Sequence, residues 1–285
     1  MVWEGLLDLT VADTNLFAVN RLYYPELQIA FTLPKAQPLA WAFRSADNEH
    51  LYRAAVAFLR AQRRSGAIAH LVDRYYGPAS KSNYINLAAF RGRIYTRLPL
   101  YQQYLEEAGQ RYELDWRLLA ALAYQESYWD PHITSPTGVR GFMMLTRLTA
   151  AELGIEDRHD VEASIDGGAR YLRTLLERVP ARIDHPDHLW FALAAYNAGP
   201  SRVEAARVLT QRQGGDPDKW SDVKERLPQL SDPAEDRMKW GYFRGDEPVR
   251  FVNRVRVYYD VLVKLDQDEK ARRTAQAFKL TVRAL

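Results

Sequence analysis

The sequence predicts an α+β protein in which a partial α/β lobe precedes a mainly α domain. Three observations predict it. Short apolar runs with strand character, at residues 5–13, 27–33 and 41–44, all fall before residue 45. Strand signals vanish after Leu100, and apolar residues recur there at helical spacing. Two of the helical runs meet capping signals where they should: Asp115 can cap the start of one, and Gly199-Pro200 closes another.

The 285 residues suffice for one large or two moderate domains, each with a buried core. The expected organisation is a non-catalytic domain over residues 1–78, a linker over 79–98 and a catalytic domain over 99–285. In the first block, residues 47–75 have helical periodicity with Leu51, Ala55, Phe58 and Leu59 on one side. Gly66 breaks the run, a second helix extends from Ala67 to Tyr76, and Gly77-Pro78 stops it. The polar, mixed segment after Pro78 reads as a linker with at most one helical turn. Helical segments are then expected at residues 100–112, 115–127, 148–153, 161–178, 188–198, 201–213 and 248–276.

Composition excludes several classes. With no cysteine, the chain has no disulfide, no thiolate zinc site and no cysteine nucleophile. A net charge of +3 is too small to argue for nucleic acid, and Gln62-Arg63-Arg64 reads as a solvated helix face. It does suit approach to an acidic polymer. Six scattered histidines, of which His185 and His188 come nearest to metal spacing, lack matching partners, so no metal is expected. No nucleophile elbow, phosphate loop or dinucleotide fingerprint occurs, and no cofactor is expected. No apolar run approaches the ~20 residues of a membrane-spanning helix. No secretory signal precedes Trp3, and the chain opens as if inside a domain, so the natural start is expected upstream.

Four motifs carry chemistry. The run from Asp115 is apolar through Trp116, Leu119, Leu122 and Ala123 and ends at Glu126-Ser127, with Asp130-Pro131 beyond. A carboxyl in the last turn of an apolar helix meets both the unfavourable end of the helix dipole and a desolvating setting. Both raise its pKa and suit it to proton donation near neutral pH. Judged on that helix alone, such a residue reads more readily as a surface glutamate at a helix end. The second motif, Ser135-Pro136-Thr137-Gly138-Val139-Arg140-Gly141-Phe142-Met143-Met144, is a glycine-containing turn that permits close backbone approach. The third, residues 189–200, is apolar nearly all round and reads as a buried helix with Tyr196 and Asn197 at its end. Asn197 offers a donor and an acceptor, which suits an acetamido group as well as a local helix-end bond. The fourth is the glycine-bounded loop 241–245 leading through Pro248 into an aromatic helix that contains Phe251.

The order Glu-Ser, Gly-x-x-Gly-x-Met, Ala-Tyr-Asn-Ala-Gly and a C-terminal aromatic helix resembles the goose-type lysozyme and soluble lytic transglycosylase family, most closely its F-type members. The likeness covers residues 95–265. It implies a lysozyme-like catalytic domain with Glu126 as the catalytic acid and Ser127 as its support. It also implies substrate contacts from Ser135, Thr137, Met143, Met144, Tyr196, Asn197 and Phe251. Met144 stands where the wider family has Gln, Phe251 where many relatives have Tyr, and Ser201-Arg202 where F-type members have Gly-His. Residues 1–78 are similar to the latter part of a family 3 periplasmic solute-binding protein, most of whose first lobe is absent; a complete module would take a small-molecule or muropeptide effector.

Most glycosidases need two carboxylates, and here only one is well placed. The resemblance implies that N-acetylmuramic acid supplies its own nucleophile, giving a 1,6-anhydro product from peptidoglycan strands without water. It further implies a periplasmic protein peripheral on the inner face of the outer membrane. A hydrolytic muramidase and a non-catalytic peptidoglycan-binding or sensor protein are the alternative readings.

Overall fold

The computed structural model of the chain describes residues 1–2, 5–35, 40–44, 49–80, 86–134, 139–230 and 245–283. The chain divides into two compact units, Met1–Asn83 and Tyr84–Leu285. The described residues are mainly helical.

The first unit holds α1 (Thr14–Tyr23), α2 (His50–Arg64) and α3 (Ala67–Ser80). Both α1 and α2 pack on α3. The break between α2 and α3 falls at Gly66, whose φ of +75° is one glycine adopts freely. The three expected strands do not form among the described residues. A strand exists only where a neighbour takes its N–H and C=O groups, and residues 27–33 and 41–44 have no such neighbour among the described residues. Their side chains stay in solvent, with Phe31 76% and Trp41 59% exposed. Helix α2 is amphipathic, yet none of its residues is buried.

The second unit begins with α4 (Leu87–Thr96), a full helix where the sequence reads as linker. Asn86 caps it, accepting from the Ala89 N–H at 2.9 Å. Phe90, fully buried, pins it against Tyr124, Trp129 and Tyr258 with centroids 4.5–5.6 Å apart. A 3-10 turn (Leu98–Leu100) leads to α5 (Gln102–Arg111) and α6 (Trp116–Ser127). There follow α7 (Arg147–Glu152), α8 (Val161–Arg178), α9 (Asp187–Ala198), α10 (Pro200–Arg212), the single turn α11 (Trp220–Val223) and α12 (Glu247–Arg283). The core of this unit lies where α6 and α9 pack against α12, with α5 and α8 closing the other side.

Helix α6 is central because residues 118–124 are all buried, Leu119 to Ala123 completely. Its start is fixed electrostatically. The Asp115 carboxylate accepts from the Arg117 N–H at 2.9 Å and from the Arg117 guanidinium at 2.9 and 2.7 Å. Tyr259 of α12 donates to the same carboxylate at 2.9 Å, and Arg117 reaches on to Asp266 at 2.8 Å. One capping group therefore ties the helix to its principal neighbour.

Candidate active site

Glu126 lies in the last turn of α6, and the chain turns sharply straight after it. Tyr128 and Trp129 are consecutive left-handed residues, with φ of 54° and 56°. Such a conformation costs about 1–2 kcal/mol per non-glycine residue and needs compensation from its surroundings. Here Trp129 is 1% exposed and donates its indole N–H to the Ala120 carbonyl at 2.9 Å. The Tyr128 carbonyl accepts from Arg97 at 3.1 Å, and its ring lies beneath the Arg93 guanidinium, 5.1 Å from the centroid. Asp130 accepts from the His132 N–H at 3.1 Å and faces Arg97 at 3.7 Å. It is thus engaged in holding the turn, as its place before Pro131 suggests.

Glu126 is half-buried. No hydrogen bond or ion pair reaches that carboxyl among the described residues. Burial alone pushes its pKa up to about 8, so the group is protonated at neutral pH. The sequence argument gave the helix dipole a share in that rise; desolvation suffices.

Tyr196, near the end of α9, is the group that senses Glu126. Burial first, and then the charges of Glu126 and Tyr171, raise its pKa well above the usual tyrosine value. Its neutral hydroxyl donates to the Met143 carbonyl at 3.0 Å. The glycine turn is built around that carbonyl. Gly141 has φ +92° and sits so close to the Arg158 carbonyl that a Cβ has no room. Met144 takes φ +49°, the Met143 N–H donates to the buried Ser164 hydroxyl at 3.0 Å, and Arg158 donates to the Leu145 carbonyl at 3.2 Å. Two antiparallel bridges, Thr134 with Arg140 and Arg140 with Leu145, close the loop.

The structure sorts the remaining expected contacts by accessibility. Asn197 is exposed and its amide has no partner among the described residues, so it is free for a ligand. Met144 is half-buried. Ser127, Met143 and Phe251 are not placed to touch a substrate with their side chains, being 0%, 0% and 1% exposed. Ser127 bonds back to the Ala123 carbonyl at 3.1 Å, a local helix bond. The Met143 side chain fills the space over Gly168, and Phe251 packs inside the core of α12. Their contribution is to shape: Met143 enters the site through its carbonyl only. Ser135, Thr137 and the loop 241–244 lie outside the described residues.

Sequence reasoning passed over Ser164, the Gly167-Gly168 pair and Tyr171, all on α8. The paired glycines were the available signal. Each costs about 1 kcal/mol inside a helix relative to alanine, so two in succession mark a close approach. They admit Ile155 and Leu145 at Gly167 and Met143 at Gly168. Tyr171 lies against Tyr196, with centroids 5.3 Å apart. Among the described residues, no cluster of three or more His, Asp or Glu could hold a metal ion.

Comparison with known proteins places this geometry in context. Residues 103–219 match the model of the Transglycosylase SLT domain. Over 94% of its length the chain is 45% identical to "Membrane-bound lytic murein transglycosylase F" of Idiomarina loihiensis, covering 58% of that protein. The protein of the same name from Alcanivorax borkumensis is 46% identical over 92% of the chain and 56% of the relative. That from Pseudomonas fluorescens is 42% identical over 94% of the chain and 56% of the relative. The chain thus spans little more than half the length of these curated relatives.

Proposed function

Because residues 103–219 carry a transglycosylase SLT domain and the chain is related over most of its length to proteins named membrane-bound lytic murein transglycosylase F, we propose that it is a peptidoglycan lytic transglycosylase with Glu126 as its one acid–base group. The desolvated Glu126 carboxyl, without a hydrogen-bond partner among the described residues and electrostatically coupled to Tyr196, carries this reading.

Glu126 holds a proton at pH 7 and gives it to the β-1,4 oxygen between N-acetylmuramic acid and N-acetylglucosamine. The muramoyl acetamido oxygen attacks the anomeric carbon as that bond breaks. Glu126, now ionised, takes the proton of the C6 hydroxyl, whose oxygen closes the 1,6-anhydro ring and expels the acetamido group. A pKa near neutrality lets one carboxyl serve both steps. Asn197 is the residue we assign to the acetamido group, and Tyr196 with the Met143 carbonyl sets the wall of the site. Ser135 and Thr137 remain proposed contacts of the same sugar.

The test is digestion of purified sacculi by the protein and by Glu126→Gln. The proposal expects anhydromuropeptides from the first and none from the second. Products one water heavier indicate a muramidase, and glycan affinity without turnover indicates a binding protein.

We assign the chain to the periplasm, peripheral on the inner face of the outer membrane. The relatives' names say membrane-bound, and no helix among the described residues is long and apolar enough to cross a membrane. Residues 1–78 we read as part of an α/β solute-binding-like lobe with a small-molecule or muropeptide effector. The unburied amphipathic helix α2 and the exposed apolar side chains of residues 27–33 support this, since such surfaces pack against a further layer.

A further inference from the structure

Tyr171 and Arg178 share one face of α8. Seven residues separate them, or about 10 Å along the helix axis. At the near end the Tyr171 ring lies against Tyr196 of the acid site, and its half-buried hydroxyl has no hydrogen-bond partner among the described residues. At the far end Arg178 is exposed and makes no ion pair among the described residues. Arg178 also edges a pocket of about 150 Å³ between α8, α9 and α10. Leu175, Val179, Ile183, Phe191 and Val203 give it apolar walls on most sides, and Glu204 and Arg207 line it as well.

The charges around the pocket are otherwise matched. Arg207 is held by Glu204 and Asp218, each at 2.6 Å, and Arg182 by Asp218 at 2.6 Å. Glu177, beside Arg178, pairs with Arg173 at 3.0 Å. Arg178 is the cation left over. The Tyr171 hydroxyl, raised first by burial, feels the opposing pull of the Arg178 charge and the like-signed push of Glu152.

We propose that this pocket and Arg178 form a second binding site, for the peptide carried on the lactyl group of the substrate's muramoyl residue. The pocket takes one small aliphatic side chain, and the Arg178 guanidinium takes the carboxylate next to it. The idea rests on the function proposed above. The pocket's volume is too small for a saccharide ring with its substituents; small-molecule sites typically run to ~300–1,000 Å³. Reach is also right, because an extended peptide covers about 3.3–3.6 Å per residue, so three or four residues span the stretch of α8 from Tyr171 to Arg178. A guanidinium that makes no ion pair among the described residues can give a peptide carboxylate two parallel, charge-assisted hydrogen bonds, while Glu204 at the same pocket is already held by Arg207. Along the way the Tyr171 hydroxyl offers a donor and an acceptor to the peptide backbone.

The experiment is calorimetric binding of a muropeptide (disaccharide with its peptide) and of the bare disaccharide, to the protein and to Arg178→Ala and Arg178→Lys. Arg178 is at an exposed helix end, and thermal unfolding confirms that each variant is folded. The peptide is expected to tighten binding about tenfold in the wild type, a gain that Arg178→Ala abolishes and Arg178→Lys keeps in part. Equal affinity of the wild type for both ligands, or an unchanged gain in Arg178→Ala, overturns the site. Strand cleavage separates the two proposals: peptide-dependent binding without any glycan cleavage refutes the function and leaves the pocket standing, whereas cleavage with no peptide-dependent binding refutes the pocket alone.

Discussion

The Tyr196 hydroxyl donates to the Met143 carbonyl across 3.0 Å, joining the end of α9 to the glycine turn. That bond explains why a tyrosine is needed where any large ring could fill the space. It satisfies a carbonyl inside a loop whose neighbours Gly141 and Met144 both have positive φ. It also keeps a neutral group, rather than a second charge, next to the acid.

Replacing Tyr196 with Phe removes the bond and leaves the Met143 carbonyl unsatisfied. A loss of about 1–2 kcal/mol of stability is expected. Turnover on glycan strands should fall roughly tenfold while KM changes little, because the turn that shapes the site loses its anchor. Urea unfolding and steady-state rates check both numbers. Unchanged stability with unchanged turnover contradicts the role given to Tyr196.

Gly168→Ala separates helix propensity from packing. In an exposed helix the change stabilises by about 1 kcal/mol. Here the new Cβ meets the Met143 Cβ and Cγ at 2.8 Å, and these are atoms near the backbone rather than a mobile tip. Overpacking costs about 1–3 kcal/mol, so a net loss is expected, together with lower activity as the turn is displaced. Denaturation midpoints decide the sign; a stabilised variant refutes the packing described.

Legibility of the fold followed the source of each signal. The ends of α6 and α9 could be read because Asp115 and the Gly199-Pro200 pair act locally. Helix α4 could not, since its stability comes from Phe90 packing on Tyr124, Trp129 and Tyr258, contacts distant in sequence. The runs at 27–33 and 41–44 have strand composition, but a strand also needs a partner that local sequence does not supply. In the candidate site, the position of Glu126 in the last turn of a buried helix could be read from the apolar run that precedes it, whereas its proposed role came from the order of the motifs and not from that helix alone. Motif position misled at Met143 and Phe251, because it says nothing about which way a side chain points. Tyr171 was missed for the opposite reason: a ring on an amphipathic helix reads as core.

Glu126 should make the fold weaker as pH rises. In the folded protein it titrates near 8, against 4.5 for an ordinary glutamate in the unfolded chain. Below the lower value both states hold the proton. Between the two values the unfolded state releases it and the folded state does not, so stability falls by up to ~1.4 kcal/mol per pH unit. Above the higher value both states are ionised and the loss stops growing. Glu126→Gln has no such term. Its unfolding free energy should exceed that of the wild type by a margin that widens from pH 4 to pH 8, reaching on the order of 2–4 kcal/mol. A margin constant with pH contradicts the burial of an acid at this position.

The most direct measurement is the titration of the Glu126 carboxyl itself, by carbon-detected NMR of glutamate-labelled protein with Glu126→Gln as the blank. The account predicts one resonance, absent from the variant, that moves with a midpoint near pH 8. Activity on sacculi should fall through the same midpoint as pH rises, because the reactive form is the protonated one. A Glu126 resonance that titrates between pH 4 and 5 contradicts the account, for the carboxyl then has no proton to give at neutral pH.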